Sequence, residues 1–152
     1  MTNESLDPRV LDMYKLCVEM ADRVSARRAG ANAYFITVQG ALVAALGFLA
    51  GRTPRVDDRY LIAVTAVGIL TALTWYLLLR SYRDLNKAKF AVINAIEIQL
   101  PVHPFADEWE VLKRDPISHW RQRYAELGTV ESMIPLLFAI VNGILAATLV
   151  AT

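Results

Sequence analysis

The chain has 152 residues, of which 55% are hydrophobic and 20% are charged, and this length suits a single domain. The formal net charge of +1 argues against a nucleic-acid partner bound through bulk charge, because phosphate neutralisation needs a basic surface. A single cysteine excludes a disulfide framework and a cysteine-rich zinc site, and two isolated histidines argue against a histidine-rich metal site.

Three stretches have the length and composition of membrane-spanning helices. Residues 31–50, 60–79 and 133–151 contain no Asp, Glu, Lys, Arg or His. A helix crosses the hydrocarbon of a bilayer in roughly 20 residues. The alternative is three buried helices of a soluble bundle, which we disfavour because a soluble helix of this length normally has a polar face. We expect no cleaved signal peptide, since the first 30 residues carry both charge signs.

The distribution of basic residues predicts the topology. Segments 1–30 and 80–132 together hold thirteen Lys and Arg residues, whereas the 51–59 loop holds three. We therefore expect 1–30 and 80–132 to be cytoplasmic, and the 51–59 loop and the C-terminus to face outward. Four aromatic residues near the span ends are interpreted as interfacial: Tyr34, Tyr60, Trp75 and Tyr76.

The segments outside the spans have helical periodicity. Asp7 and Pro8 form a typical helix start, and the helix that follows can continue into the first span. A second apolar stripe extends from residue 82 to residue 100, and Pro101 and Pro104 end it. This helix is expected to be a continuation of the second span.

Further helices are predicted before the third span. Apolar stripes occur at 105–112 and 117–127, with a restart at Asp115 and Pro116. Gly128 and Thr129 are expected to form a turn, and Pro135 to kink or start the last span.

The fold class is therefore all-α: an integral membrane protein with three transmembrane helices and a helical cytoplasmic region, assembling as a symmetric homo-oligomer. A few dozen cytoplasmic residues cannot bury several apolar stripes within one copy. In lipid, helices associate by close packing at small residues. The candidate packing pairs are Gly40 with Ala44, Gly47 with Gly51, and Gly143 with Ala147.

Asn32, Gln39 and Asn142 are the strongest polar groups in or near the spans. An amide facing lipid is costly unless it is paired, so these side chains should face protein or water. One interpretation is hydrogen bonding between helices, which we favour for Asn142. The other is a ring of amides that lines a central conduit, with Asn32 and Gln39 on one face of the first helix.

Charged and catalytic patterns are weak. A cluster near the membrane is interpreted as an ion network rather than a proton relay: Glu19, Asp22, Arg23, Arg27 and Arg28. Arg114 and His119 have a spacing found in helical RNA-cleaving domains, but Asp115 and Pro116 interrupt it. We interpret His103 with Asp107 and Glu108 as a solvated turn and Cys17 as a packing residue. We therefore expect no enzyme activity, no cofactor and no metal.

Several stretches together resemble the RipA-family octameric membrane proteins, which are small bacterial inner-membrane proteins. They are Tyr14–Arg28, Tyr82–Phe90, Ile96–Glu97, Leu100–Pro101 and Glu108–Trp109. The resemblance covers roughly residues 12–140, and Cys17 stands where the family pattern has an aromatic residue. It implies a ring of eight copies in the bacterial inner membrane and carries no established enzymatic activity.

The function predicted from these observations is a pore- or channel-like homo-oligomer, with Gln39 as a candidate lining residue. The expected partners are other copies of the chain and membrane lipids, with no nucleic acid. One alternative is a non-conducting scaffold that holds an unidentified protein partner. Another is a signal-gated effector of the phage-defence type, or a nuclease that uses residues 101–127.

Overall fold

The computed structural model describes residues 7–54, 56–114 and 127–151, with the side chains of 112–114 and 127–129 left aside. These residues form four helices and no strand, which confirms the all-α prediction for the described part of the chain. The helices are α1 (Pro8–Ala50), α2 (Asp58–Glu97), α3 (Pro104–Arg114) and α4 (Leu127–Ala151).

Aspartate caps begin the two long helices. The Asp7 carboxylate accepts a hydrogen bond from the Arg9 amide at 2.9 Å, with Pro8 as the first helical residue. The Asp57 carboxylate accepts the same bond from the Arg59 amide, also at 2.9 Å. The predicted helix start at Asp7 and Pro8 is therefore confirmed.

Both long helices exceed the thickness of a membrane. At 1.5 Å per residue, the 43 residues of α1 and the 40 residues of α2 are about 65 and 60 Å long, against a hydrocarbon core of about 30 Å. The predicted continuity of the first two apolar stretches with the helices next to them is confirmed, because neither helix is interrupted.

The start of the last helix differs from the prediction. α4 begins at Leu127, so Gly128 and Thr129 are helical and the turn expected there is wrong. Pro135 lies inside α4 and does not start it. The helix predicted from Asp115 to residue 126 lies outside the described residues.

The chain divides into two compact units. The first, here called the polar unit, contains α1 up to Arg27, the part of α2 from Tyr82 onward, and α3. The second, here called the membrane unit, contains Arg28–Ser81 and α4. Three helices in the described residues are long and apolar enough to cross a membrane: α1, α2 and the Val130–Ala151 part of α4.

Trp75 occupies the centre of the membrane unit. Its side chain is fully buried. The indole ring stacks on Phe35 of α1 at 5.7 Å between centroids and lies 6.3 Å from Phe138 of α4. Its Nε1–H donates a hydrogen bond to Asn32 Oδ1 at 2.8 Å. The interpretation of Trp75 as an interfacial aromatic is wrong, because its polar N–H finds a partner inside the helix bundle rather than at the lipid headgroups.

We expect Trp75→Ala to lower the free energy of unfolding by about 3–5 kcal/mol, since it removes the aromatic contacts with two other helices and leaves a cavity. Leu70→Ala, on an exposed position of α2, should change it by less than about 1 kcal/mol. Denaturant titration of the detergent-solubilised protein measures both values. Equal losses for the two variants would contradict the central role of Trp75.

Candidate functional site

Three polar side chains of the membrane unit lie deep in its interior. Gln39 on α1, Thr65 on α2 and Asn142 on α4 are all fully buried within a single copy. A polar group that is buried away from solvent needs a protein partner to satisfy its hydrogen bonds.

Gln39 connects α1 to α2. Its Nε2 donates to the backbone carbonyl of Gly68 at 2.8 Å and to the Thr71 hydroxyl at 3.1 Å. The Thr71 hydroxyl lies 2.9 Å from the carbonyl oxygen of Val67 and 3.0 Å from that of Gly68, and can donate to either. The structure thus places Gln39 between helices of the same copy.

Asn142 meets α2 at the same glycine. Its Nδ2 donates to the Phe138 carbonyl at 2.8 Å, within α4. A Cβ atom added to Gly68 would lie 2.7 Å from Asn142 Cγ, which is closer than real Cβ atoms approach other atoms. Gly68 is therefore the point where the amides of α1 and α4 both reach α2.

The sequence analysis did not identify Gly68. Gly68 and Ala72 have the same four-residue spacing as the three predicted pairs but were not among them. The available signal was an isolated glycine inside an apolar helix, which costs up to about 1 kcal/mol and calls for a packing reason.

The interior amides of Gln39 and Asn142 each keep an unused hydrogen-bond acceptor. Gln39 Oε1 and Asn142 Oδ1 are buried and have no hydrogen-bond partner among the described residues. Each could accept a hydrogen bond from a small donor, whereas amide and hydroxyl groups do not ionise in the physiological range. This part of the structure therefore offers two free hydrogen-bond acceptors.

The predicted small-residue pairs lie on outer faces. An added Cβ at Gly40, Gly47 or Gly143 would meet nothing within 4 Å, and at Gly51 it would meet only carbonyl oxygens of its own chain segment, 3.6 Å or more away. Ala44 and Ala147 are exposed. Among the described glycines of the membrane unit, Gly68 is therefore the one that another helix of the same copy approaches closely.

Glu97 organises the polar unit. Its carboxylate is almost fully buried at the end of α2 and accepts a hydrogen bond from the Tyr14 hydroxyl of α1 at 2.8 Å. It also accepts bonds from the backbone amides of Phe105 and Ala106, at 3.1 and 3.3 Å. These amides belong to the first turn of α3, where a negative charge is stabilised by the helix dipole. One carboxylate thus joins three helices.

Tyr14 has an altered pKa in this arrangement. Burial, the hydrogen bond to Glu97 and the negative charge of that carboxylate all disfavour the phenolate, and together they raise the pKa of Tyr14 to about 12. The ring of Tyr14 also lies 6.4 Å from that of Phe105. The sequence analysis used both Tyr14 and Glu97 in the resemblance but assigned neither a role.

The predicted ion network is divided between the two units. Arg23 pairs with Glu19 at 2.7 Å, but both side chains are more than half exposed, so this pair contributes little stability. Arg28 lies 3.3 Å from Glu131 of α4, and these two side chains are largely shielded. Asp22 and Arg27 are exposed. Sequence reasoning missed Glu131, whose available signal was an acidic side chain directly before the third apolar stretch.

The candidate catalytic groups do not converge in the described part of the chain. No group of three or more His, Cys, Asp or Glu residues there could hold a metal ion. Cys17 and His103 are both partly buried. Arg114 ends α3, whereas His119 lies outside the described residues.

Three apolar helices with buried amides and exposed apolar faces define a multi-span α-helical membrane protein. Comparison with protein families makes the assignment more specific. The chain belongs to the octameric membrane protein family (8xMP), whose profile matches residues 11–151, and this confirms the resemblance described above. Searches of curated proteins and of solved structures give no match.

We expect Gly68→Ala to lower the free energy of unfolding by about 1–3 kcal/mol, because its methyl group overlaps Asn142. Gly30→Ala is the matched control in the membrane unit, since nothing lies within 4 Å of its added Cβ, and it should be neutral or stabilising by up to about 1 kcal/mol. Adding Asn142→Ala to Gly68→Ala should recover part of the loss. Similar unfolding curves for the two single variants would disprove the close approach at Gly68.

The Tyr14–Glu97 hydrogen bond predicts an alkaline pH dependence. The folded-state pKa of about 12 exceeds the usual 10.0, so the contribution of Tyr14 to stability is complete below pH 10 and is lost as the pH rises from 10 to 12. Tyr14→Phe should cost about 1.5–3 kcal/mol at pH 8 and progressively less towards pH 12. Tyr60→Phe, at an exposed position, is the control. A difference between wild type and Tyr14→Phe that stays constant up to pH 12 would rule out this role.

Proposed function

We propose that the chain is the subunit of a homo-octamer in the bacterial inner membrane, and that this assembly acts as a pore- or channel-like structure without catalysis. The observation that carries the proposal is the large apolar surface that one copy leaves exposed on all three membrane helices, including Phe48, Leu70 and Ile140. Membership of an octameric family supports covering part of this surface with further copies, and lipid would cover the rest.

The proposed orientation follows the basic residues. The N-terminal part of α1 and the segment from α2 through α3 would lie in the cytoplasm, because they belong to the two segments that hold thirteen of the sixteen Lys and Arg residues. The 51–59 loop and the C-terminus would lie outside. Arg28 and Glu131 would then be close to the cytoplasmic membrane surface.

Gln39 is not available as a lining residue in this arrangement of helices, since its amide is bonded to Gly68 inside the copy. The three apolar stretches contain no charged residue, so a conduit between copies would be lined by apolar, hydroxyl and glycine positions. A passage of this kind opens and closes by wetting and dewetting of an apolar constriction. Because the lining has no charged residue, we expect a conductance that discriminates only weakly between cations and anions.

Ion flux through protein reconstituted in lipid vesicles tests the proposal. Serine would be placed at one exposed position on each helix: Val43→Ser on α1, Leu70→Ser on α2 and Ile140→Ser on α4. A hydroxyl favours water in an apolar constriction, so we expect the variant on the lining helix to increase flux and the other two to match wild type.

Gln39→Leu is the matched control for this series, because it should lower stability without altering conductance in the fraction that remains folded. The octamer is verified by native mass spectrometry of each sample. An intact octamer without flux in the wild type and in all three serine variants would refute the conduit.

A specific observation favours a second function, that of a scaffold for a protein partner. Val102, Trp109 and Val111 expose apolar surface on and next to α3. A protein that co-purifies with the non-conducting octamer and is lost with Val111→Asp would support it. The nuclease alternative depends on His119, and RNA cleavage that disappears in His119→Ala would be required to sustain it.

A further inference from the structure

The polar unit leaves two apolar stripes exposed. On α1, Met13, Leu16 and Met20 are 55%, 50% and 45% exposed. On α2, Leu85 and Val92 are 45% and 53% exposed. Ala88 lies between them and Ala95 follows Val92, and both alanines are exposed. Both stripes follow the spacing i, i+3, i+7, so each forms a continuous row along its helix.

These stripes are separate from the contacts inside the unit. The buried residues of α1 in this unit are Ala21 and Val24, and those of α2 include Ile93 and Glu97. At about 100° per residue, Met20 lies about 100° from Ala21 and 40° from Val24 around α1, and Val92 lies about 100° from Ile93 around α2. The stripes are therefore additional apolar surface, which in an aqueous compartment is typical of a protein–protein interface.

The two stripes differ in the size of their side chains. The stripe on α1 has long flexible side chains at each position, whereas that on α2 alternates larger residues with alanine. Long side chains on one helix fit into the spaces beside small residues on another, as in knobs-into-holes packing.

A ring needs such a pair of unlike surfaces. Each copy in a cyclic octamer presents one face to the copy before it and a different face to the copy after it. This step depends on the octamer proposed above. We propose that Met13, Leu16 and Met20 of one copy pack against Leu85, Ala88, Val92 and Ala95 of the next copy, with the two helices antiparallel.

The membrane fixes the register of this contact. In the proposed orientation, α1 enters the bilayer at about Ala31 and α2 leaves the same surface at about Leu79. Met20 precedes Ala31 by eleven residues, and Ala88 follows Leu79 by nine. At 1.5 Å per residue the two positions differ in height by only about 3 Å. Met20 of one copy would therefore lie at the level of Ala88 of its neighbour.

Disulfide crosslinking tests this contact. In a Cys17→Ser background, which removes the only native cysteine, Met20→Cys and Ala88→Cys are placed in two differently tagged chains that are co-expressed. Oxidation in native membranes should yield a dimer that carries both tags, because a disulfide requires Cα atoms within about 7 Å. Both substitutions in one chain should give a ladder of linked species up to eight copies.

Two controls use the same background. Met20→Cys alone should give no dimer, because unlike faces meet in a ring. Asp22→Cys combined with Ala88→Cys should give no ladder, since Asp22 lies on the opposite, charged side of α1. As a check that does not use cysteine, Met20→Lys in the native chain should reduce the octameric fraction about tenfold, with unchanged unfolding of the single copy, because a charge in the apolar contact is costly in every interface of the ring.

Several results would overturn the inference. If native mass spectrometry detects the octamer but oxidation gives no dimer with both tags, this interface is refuted while the proposed octamer stands. A dimer of Met20→Cys with itself would indicate a two-fold contact instead. An intramolecular disulfide between Met20→Cys and Trp120→Cys would assign the α1 stripe to residues 115–126 of the same chain. Single copies throughout would refute the proposed octamer and this contact together.

Discussion

The membrane unit depends on satisfying polar groups where no water is present. A buried amide or indole in hydrocarbon costs several kcal/mol unless it is paired, and this requirement decides which sides of the helices meet. Gln39 bonds to Gly68, and Trp75 bonds to Asn32 while it stacks on Phe35. These polar groups therefore lie between the helices, and the outer faces of the membrane helices expose large apolar side chains that are suited to lipid or to other copies.

The polar unit solves a different problem, because it has few residues for a core. One carboxylate, Glu97, satisfies the hydroxyl of Tyr14 and the first-turn amides of α3. A charged group bonded in this way fixes the positions of three helices with little apolar burial. The cost is that surface such as Met13 and Leu85 stays exposed in a single copy. Because a few hydrogen bonds order the polar unit without burying its apolar surface, this surface remains available for contact with another copy.

Much of the architecture could be predicted from local patterns. The absence of charge over bilayer length identified the spans, and Asp7 with Pro8 identified the start of α1. The interfacial role given to Trp75 failed because position near a span end does not specify which way a side chain faces. The roles of Gly68 and Glu97 could not be predicted in this way because they involve residues far apart in sequence, such as Tyr14 and Glu97, which are separated by 83 residues.

The sequence by itself determined the all-α class, the three apolar stretches, the continuity of the long helices and the family, since these follow from composition and short-range periodicity. The tertiary structure alone decided that Gln39 and Asn142 are directed to Gly68 and that Glu97 caps α3. The physical reason is that periodicity shows which residues share one face of a helix but does not determine what that face contacts. An amide can bond equally well to a carbonyl of its own copy or to water in a conduit, and only the arrangement of the helices distinguishes these two.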